Sequence, residues 1–551
     1  MPTLDWIGKK AVVNHHNEVP FHLLKEAPDL SVGEPGNGNL LVEGDNLLAL
    51  KALLPYYAGQ VKCVCIDPPY NTGEERWSYN DKVNSPEIRK WLVDTLAGKI
   101  VDKDDLSRHD KWLCMMLPRL KILKDLLSND GLIAVTIDDN EVFYCGLLMD
   151  EIFGQNNRLA CAPWLAEPSG GKQKTGLRSG HEYVLVYHNG NSLNISQEEK
   201  SAGELDRKDK WGKYRKGREL LKWGAGSLRS DRPNMWFPLT APDGSQVYPI
   251  RNDGKEGRWR LGEKNPYIHA IMADYEQAHW EKRPFDSGVT HEGKIERWVP
   301  YEKVRDKKQS FGWSTWLDSY GFNSDGTRDL KELFGSKTFE TPKPLLLIKW
   351  IIGLHADENA IVLDSFAGSG TTGHAVMQLN KEDGGNRHFI LVEMESNICR
   401  NVTAERLRRV CNGYEKPDGT QIEGLGGGFR YCKLGEACFD EYGRINAEVT
   451  FSDLARHIFF TETGEPIPKQ AKDSNPLIGI YKGTAVYLLY NGILKDKQPD
   501  GGNVLTQAAL NILPKHDGPK VIYGTACRFS PVRLKRENIV FKQIPYEIRV
   551  R

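Results

Sequence analysis

The chain has 551 residues, of which 39% are hydrophobic and 27% are charged, and its 74 basic side chains balance 74 acidic ones. This length predicts several structural units, because domains average roughly 150 residues, and the composition excludes disordered and collagen-like proteins. With a formal net charge of zero, any polyanionic partner would have to be held by a local basic patch.

The hydrophobicity pattern argues against membrane insertion and export. The longest apolar stretch, 344–354, is interrupted by Lys349 and is shorter than the ~20 residues that span a bilayer. Residues 1–10 lack the apolar core of a secretory signal, so we expect a cytoplasmic protein without membrane contact. The ten cysteines form no Cys-x-x-Cys pair, which favours buried free thiols over a metal site or disulfides.

The first part of the chain predicts a strand, a helix and a second strand. Residues 61–66 and 132–137 are β-rich apolar runs, typical of buried parallel strands. Between them apolar side chains recur at helical spacing, and Asn129-Asp130-Gly131 is expected to end that helix. The helical positions are Trp112, Met115, Met116, Leu120, Leu123 and Leu127.

The first of these strands leads directly into Asp67-Pro68-Pro69-Tyr70-Asn71, at the edge where open α/β sheets bind ligands. Asp67 and the Pro68 carbonyl are able to accept hydrogen bonds from the two N–H groups of an exocyclic nucleobase amine, which makes its lone pair available. Pro68 and Pro69 donate no N–H, and Tyr70 offers a ring on which an extruded base stacks. The alternative is a strand-to-turn segment with a capping Asp.

The middle region, 160–335, holds nine of the 14 tryptophans. Within it, basic side chains alternate with Trp211, Tyr214 and Trp223, a combination that suits phosphates and stacked bases. A solvated charged face over core tryptophans explains the same pattern equally well. The candidate DNA-binding residues are Lys210, Lys213, Arg215, Lys216 and Arg218.

A second strand, loop and helix pattern follows the middle region. The run 360–363 ends at Asp364-Ser365-Phe366-Ala367-Gly368-Ser369-Gly370-Thr371-Thr372, a helix is predicted over 371–379, and the run 389–392 ends at Glu393. Gly368 and Gly370 would let the backbone approach a ligand closely. Glu393 lies near the ~20-residue spacing of a ribose-binding acid, although an exposed strand-end acid is the alternative. The tail, 435–551, predicts a small separate α+β domain.

Asp-Pro-Pro-Tyr together with Phe-x-Gly-x-Gly resembles the S-adenosylmethionine-dependent amino-methyltransferases of DNA. The catalytic motif precedes the cofactor motif, with a long insertion between them, which resembles the β group. Further stretches, at 38–46, 137–141, 341–344 and 380–387, are similar to the modification subunits of type III restriction systems. The resemblance covers roughly 35–190 and 320–410.

This resemblance implies a doubly wound α/β fold with a mostly parallel, Rossmann-like methyltransferase sheet. The implied domains are an N-terminal extension at 1–34, a catalytic half at 35–159, an inserted target-recognition domain at 160–335, a cofactor half at 336–434 and a C-terminal domain at 435–551. Double-stranded DNA, a second copy of the chain and a helicase-nuclease restriction subunit are the implied partners. No metal is expected.

Carried over by motif, Asp67, Pro68, Pro69 and Tyr70 hold and activate the target adenine in a site-specific adenine-N6 methyltransferase. Asp45 and Lys343 are implied near the two ends of the cofactor, but each is equally compatible with a surface or capping role. Cytosine-N4 methylation, or a DNA-reading subunit that has lost catalysis, remain as alternatives. The implied S-adenosylmethionine site comprises Asp45, Lys343, Asp364, Phe366, Gly368, Gly370, Thr371 and Glu393.

Overall fold

The computed structural model divides the chain into two compact units, Met1–Ser196 with Ser314–Arg551, and Gln197–Trp313. The residues that the structure describes are 3–33, 38–72, 106–170, 176–190, 194–201, 203–305, 308–355, 357–440, 445–468, 475–491, 498 and 501–544.

The strands fall into four groups along the chain. The N-terminal group is β1 (His22–Glu26), β2 (Leu40–Glu43), β3 (Val61–Ile66), β4 (Leu127–Ile137), β5 (Arg158–Leu165) and β6 (His181–His188). The second unit contains β7 (Glu198–Ser201), β8 (Arg207–Asp209), β9 (Gly212–Glu219), β10 (Leu239–Thr240), β11 (Gln246–Val247), β12 (His279–Pro284), β13 (Glu296–Val304) and β14 (Lys308–Phe311). Next come β15 (Ile361–Asp364), β16 (His388–Glu393), β17 (Gly413–Glu415), β18 (Gln421–Glu423) and β19 (Arg430–Ala437). The tail contains β20 (Leu477–Tyr481), β21 (Thr484–Leu488), β22 (Val504–Leu505), β23 (Lys520–Gly524), β24 (Ala526–Cys527) and β25 (Ile539–Gln543).

Helices connect these strands. They are α1 (Lys9–Val12), α2 (His15–Glu18), α3 (Asn46–Tyr57), α4 (Leu106–Leu126), α5 (Val142–Phe153), α6 (Pro266–Ala273), α7 (Asn323–Phe334), α8 (Leu345–Gly353), α9 (Thr371–Asp383), α10 (Ser396–Ile398), α11 (Glu405–Asn412), α12 (Phe451–Thr463), α13 (Gln507–Ile512) and α14 (Pro531–Arg536). A π-helical turn, Cys399–Ala404, joins α10 to α11, and short 3-10 turns lie at Pro28–Leu30, Gln155–Asn157, Arg229–Asp231, Pro233–Met235 and Tyr275–Gln277.

A nine-stranded sheet forms the centre of the first unit, in the order β1-β19-β2-β16-β15-β3-β4-β6-β5. From β19 to β4 neighbouring strands pair in parallel, whereas β1, β6 and β5 are joined at the two edges by antiparallel pairing. The parallel strands β3, β15 and β16 are buried apolar runs, as a sheet covered on both faces requires. The predicted doubly wound α/β fold is confirmed.

The position of the candidate site is set by the two strands in the middle of this sheet. Strands β3 and β15 are parallel neighbours, with Leu363 opposite Val64. From β3 the chain continues through α4 to β4 on one side, and from β15 through α9 to β16 on the other. The strand order therefore reverses between β3 and β15, which is where open α/β sheets form a ligand crevice.

One turn signal in the sequence was misleading. Asn129-Asp130-Gly131 does not separate α4 from the next strand, because the helix ends at Leu126 and β4 begins at Leu127. The three residues are absorbed by an irregularity in the pairing, in which Val61 lies opposite Leu127 and Cys63 opposite Leu132. Leu127 is consequently a strand residue and not the last residue of the helical face.

The domain boundaries also differ from the expected ones. The compact insertion, Gln197–Trp313, is shorter than 160–335, because β5 and β6 belong to the central sheet. Its own core contains Leu220, Trp259 and Ile268, and its main sheet has the order β12-β13-β9-β8. The tail groups with the first unit because buried residues of α12, such as Ile458, pack in the same apolar cluster as the central strands.

Of the ten cysteines, eight are buried as expected, whereas Cys161 is exposed and Cys527 is half-buried. In the described part of the chain, no helix combines the length and hydrophobicity needed to cross a bilayer. Within those same residues, no three His, Cys, Asp or Glu side chains cluster as a metal ion would require.

Candidate active site

Asp67 lies at the carboxyl end of β3, where three neighbouring groups hold its carboxylate. The Thr136 hydroxyl donates to Oδ1 from β4 at 2.6 Å, and the Tyr70 hydroxyl lies 2.9 Å from the same oxygen. The Lys343 ammonium nitrogen lies 3.0 Å from Oδ2. The orientation of Asp67 is thus fixed before any substrate binds.

Lys343 and Glu182 complete this cluster. The Lys343 side chain is buried, and its nitrogen lies 3.5 Å from Glu182 Oε2 as well as against Asp67. Burial alone would lower the pKa of Lys343, but the two carboxylates outweigh it and raise that pKa. Glu182 Oε2 also lies 2.8 Å from the Tyr70 hydroxyl. The structure therefore places the Lys343 ammonium beside Asp67.

The backbone after Asp67 is shaped by two further contacts. The Trp112 indole donates to the Pro69 carbonyl at 2.7 Å, whereas no described residue donates to the Pro68 carbonyl. Asn71 is buried with φ of 59°, in the left-handed region, and its amide donates to Glu141 at 2.5 Å. The Pro68 carbonyl remains available to a ligand while its neighbours are fixed.

The glycine loop begins at Asp364, whose carboxylate accepts two hydrogen bonds, one from within the loop and one from the start of α9. The Phe366 amide donates to Oδ1 at 3.0 Å and the Thr372 hydroxyl to Oδ2 at 2.6 Å. Burial raises the pKa of Asp364 to about 7, although both hydrogen bonds oppose that rise. Asp364 thus shapes the loop and adds a titratable group to the cavity.

Glu393 meets this loop from the end of the neighbouring strand, β16. Its Oε2 accepts a hydrogen bond from the Gly368 amide at 2.8 Å, and its Oε1 accepts one from the Glu395 amide at 2.9 Å. Burial raises the pKa of Glu393 to about 7 in spite of both bonds. Each carboxylate oxygen retains a lone pair, so the group suits a ligand that carries hydroxyl donors.

Gly368 and Gly370 both require left-handed backbone, with φ of 48° and 76°. A Cβ on Gly368 would lie 3.1 Å from the Phe339 ring, and a Cβ on Gly370 would lie 3.0 Å from the Thr403 methyl group. The Thr403 hydroxyl also donates to the Gly368 carbonyl at 2.6 Å. Conformation and space both favour glycine at these two positions.

Behind the loop lies Arg406, a buried cation that no sequence motif singled out. Its guanidinium donates to the Thr371 hydroxyl at 2.8 Å and to the Ser369 hydroxyl at 3.1 Å. The Thr371 hydroxyl in turn contacts the Lys343 carbonyl at 3.2 Å. The cofactor loop and the Lys343 segment are therefore joined through Thr371.

Asp45 acts as a helix cap. Its Oδ1 accepts the amides of Leu47 and Leu48 at 2.9 and 3.1 Å, at the N-terminus of α3. The next residue, Asn46, lines the cavity and donates to the Ser365 carbonyl at 3.3 Å. The structure therefore places Asp45 in the capping role that was the alternative to cofactor binding. Its neighbour Asn46 reaches the cavity instead.

Both motifs open into one cavity of about 700 Å³. This volume lies within the ~300–1,000 Å³ range of small-molecule sites. Asp45 and Gly370 are not among the residues that line it. From the predicted set, the lining residues are Asp67, Pro68, Pro69, Tyr70, Lys343, Asp364, Phe366, Gly368, Thr371 and Glu393.

The second unit contains the candidate DNA-binding residues, on and just before β9. Lys210 is paired with Asp274 at 2.8 Å and Glu276 at 3.0 Å. Lys216 is paired with Glu281 at 2.8 Å, and Arg215 is half-buried.

The remaining two basic residues of this group, Lys213 and Arg218, are exposed, with no acidic partner among the described residues. They therefore offer more positive charge to a ligand than Lys210 and Lys216 do.

This sheet and cavity are those of a Rossmann-like methyltransferase. A family model described as DNA methylase matches residues 61–405. The EcoPI Mod subunit of a type III restriction-modification enzyme, from Escherichia phage P1, is 30% identical over 505 residues, which cover 84% of this chain and 74% of that protein. The type II methyltransferase M.KpnI of Klebsiella pneumoniae is 33% identical over 369 residues, 65% of this chain and 81% of that protein.

Among solved structures, the M1.HpyAVI–SAM complex matches 67% of this chain and 98% of its own, with 14% identity and a TM-score of 0.29. The chain belongs to the DNA methylase family.

Proposed function

We propose that this chain transfers a methyl group from S-adenosylmethionine to the N6 amine of an extruded adenine in double-stranded DNA. The observation that carries the proposal is the shared cavity, which is lined by Asp67 and Tyr70 as well as by the glycine loop and Glu393. Adenine is favoured by the Asp at the first position of the Asp-Pro-Pro-Tyr motif.

The residues of the cavity fit the cofactor. Glu393 is buried, faces the loop and keeps acceptor capacity for ribose hydroxyls. Gly368 also lines the cavity, where a Cβ would lie 3.1 Å from the Phe339 ring, so the shape of the cavity at this point depends on glycine. When bound, S-adenosylmethionine supplies an activated methyl group on a sulfonium.

The protein's own groups would prepare the target amine. Asp67 and the Pro68 carbonyl accept its two N–H groups, so that the nitrogen lone pair turns toward the methyl donor. The Tyr70 ring stacks on the base, which offsets part of the few kcal/mol that base extrusion costs, with about 1–3 kcal/mol per stacked base. Asp67 also lies where it can accept the proton that the methylated amine releases.

The direct test is transfer of labelled methyl groups from S-adenosylmethionine to DNA, followed by digestion to nucleosides. N6-methyladenine is expected, and Asp67→Ala should reduce transfer at least about a hundredfold while leaving cofactor affinity nearly unchanged. N4-methylcytosine as the product would replace adenine by cytosine in the proposal. Unlabelled DNA would point to a recognition subunit without catalysis.

We further propose that the chain acts as the modification subunit of a type III-like restriction system and works with a helicase-nuclease subunit. Supporting this, the EcoPI Mod subunit is similar over most of its own length. The test is whether the neighbouring reading frame encodes a helicase-nuclease that co-purifies with the chain, and failure to associate in the presence of DNA would contradict the partnership.

We also propose a homodimer, in which an exposed apolar face of α5 contacts a second copy. Phe143 and Leu147 are 76% and 40% exposed there, and Leu159 on the edge strand β5 is 36% exposed. The double variant Phe143→Asp with Leu147→Asp should be monomeric by light scattering. The control variant is Ile512→Asp, which changes an exposed residue of the tail and should leave the dimer intact. A wild-type chain that is monomeric with and without DNA would contradict the dimer.

A further inference from the structure

Glu182 is a carboxylate of the catalytic cluster that neither motif contains. It is the second residue of β6, which runs antiparallel to β4, with Ile137 opposite Tyr183. The beginning of β6 therefore lies at the edge of the sheet where β3 and β4 end. This arrangement brings a residue far from Asp67 in sequence into the same cavity.

One oxygen of Glu182 faces both groups that flank Asp67. Its Oε2 lies 2.8 Å from the Tyr70 hydroxyl and 3.5 Å from the Lys343 nitrogen, while Asn323 donates to Oε1 at 3.3 Å. We propose that Glu182 is a positioning residue for methyl transfer, which orients the Tyr70 ring and holds Lys343 between two carboxylates. The inference rests on the proposed function and deepens it.

The first effect concerns the ring. The Tyr70 hydroxyl lies between Asp67 Oδ1 and Glu182 Oε2, and its single proton can be donated to only one of them at a time. Because Asp67 Oδ1 already accepts the Thr136 hydroxyl, Glu182 is the better acceptor for the single phenol proton. The hydrogen bond to Glu182 fixes the hydroxyl end of the ring, so the ring presents a constant face to an extruded base.

The second effect concerns charge. Lys343 lies 3.0 Å from Asp67 Oδ2 and 3.5 Å from Glu182 Oε2, so its charge is shared between two carboxylates. The substrate amine must compete with Lys343 for Asp67 Oδ2. A neutral residue at position 182 would leave Lys343 to Asp67 alone and would strengthen that competition.

The test compares Glu182→Gln, which keeps an oxygen acceptor but loses the charge, with Glu182→Ala, which loses both. The matched control is Glu382→Gln, which removes the carboxylate of the Lys349–Glu382 pair at 2.6 Å outside the cavity. The substrate is a duplex with the recognition sequence, mapped from methylated bases in a host that expresses the chain. The measurements are the single-turnover methylation rate, S-adenosylmethionine affinity by calorimetry and the urea midpoint.

Glu182→Gln should lower the single-turnover rate about tenfold to a hundredfold, as expected for misplaced reacting groups, with little change in cofactor affinity or urea midpoint. Glu182→Ala should lower it further. With 2-aminopurine in place of the target adenine, Glu182→Ala should also give brighter fluorescence than wild type, because the extruded base stacks less on Tyr70. The control Glu382→Gln should match wild type in every measurement.

Wild-type rates in both Glu182 variants would overturn the inference, as would a rate loss matched by loss of cofactor affinity or of stability. In either case the wild-type chain still methylates DNA, so the proposed function stands. A wild-type chain that methylates no DNA would overturn the proposed function and this inference with it.

Discussion

The Lys343 ammonium nitrogen lies 3.0 Å from Asp67 Oδ2, and this contact joins the segment before the cofactor loop to the catalytic motif. Sequence resemblance implies a place for Lys343 near the cofactor, and in the structure its buried ammonium contacts the carboxylate that we propose to be catalytic. The backbone of the same residue contacts Thr371 of the glycine loop at 3.2 Å. Lys343 therefore links the two halves of the site.

Lys343→Met should lower the single-turnover methylation rate about tenfold, because Asp67 loses the cation that lies 3.0 Å from its Oδ2 and the carboxylate is less well positioned. The check is the single-turnover rate of each variant beside wild type. Lys343→Arg restores the charge and should restore much of the wild-type rate; a Met variant with the wild-type rate would contradict the assignment.

We expect the affinity for S-adenosylmethionine to depend on pH because of Glu393. Its pKa is raised to about 7 by burial, so below that pH the free chain holds a proton that hydroxyl binding must displace. The Kd for S-adenosylmethionine should increase about tenfold per unit as pH falls below 7, by calorimetry.

Glu393→Gln should bind more weakly and lose most of this dependence on pH. Burial also raises the pKa of Asp364 to about 7, and the Glu393 charge contributes to that rise, so Asp364→Asn is the matched control for its share of the slope. The same slope in wild type and Glu393→Gln would show that Glu393 does not bind the cofactor.

A comparison of Gly370→Ala with Gly384→Ala separates the cost of backbone strain from the cost of steric crowding. The two glycines have nearly equal φ, 76° and 77°, at the two ends of α9. A Cβ on Gly370 would lie 3.0 Å from the Thr403 methyl group, whereas nothing lies within 4 Å of one on Gly384. Both variants should lose about 1–2 kcal/mol in the free energy of unfolding from the strained backbone.

Gly370→Ala should lose more stability than Gly384→Ala in urea unfolding. It alone should weaken S-adenosylmethionine binding, because its crowding shifts the loop that carries Gly368. Equal losses in both variants would mean that the loop accommodates the methyl group.

We expect Lys213 and Arg218 to account for most of the salt dependence of DNA binding by the β9 segment. Replacing both by Ala should reduce the slope of log K against log salt by up to about 0.9 for each DNA phosphate that is no longer neutralised. Lys210→Ala with Lys216→Ala is the matched control and should change the slope less, since both cations are paired with carboxylates. An unchanged slope in the first double variant would favour a solvated charged face.

Local patterns were enough to predict the centre of the fold. The apolar runs ending at Asp67, Asp364 and Glu393 formed the expected parallel strands, and the shared edge of such strands explains why the two motifs meet. Asn129-Asp130-Gly131 was misread because strand pairing absorbed a sequence that favours a turn.

Glu182 and Arg406 could not be selected from the sequence, since their roles depend on contacts with distant segments. An acid near the start of an apolar strand, such as Glu182, is the one local signal that would have justified a closer look. For a related reason the sequence could not show that Asp274 and Glu281, which lie later in the chain, pair with Lys210 and Lys216.

The central claim is that the Asp67 motif and the glycine loop bring the target base and the methyl donor together in one cavity. A structure of the chain with its DNA site and a non-reactive S-adenosylmethionine analogue measures this directly. The atom that replaces the methyl carbon should lie about 3–3.5 Å from an adenine N6 held by Asp67. An analogue bound away from Glu393, or an adenine left stacked in the duplex at full occupancy, would contradict the account.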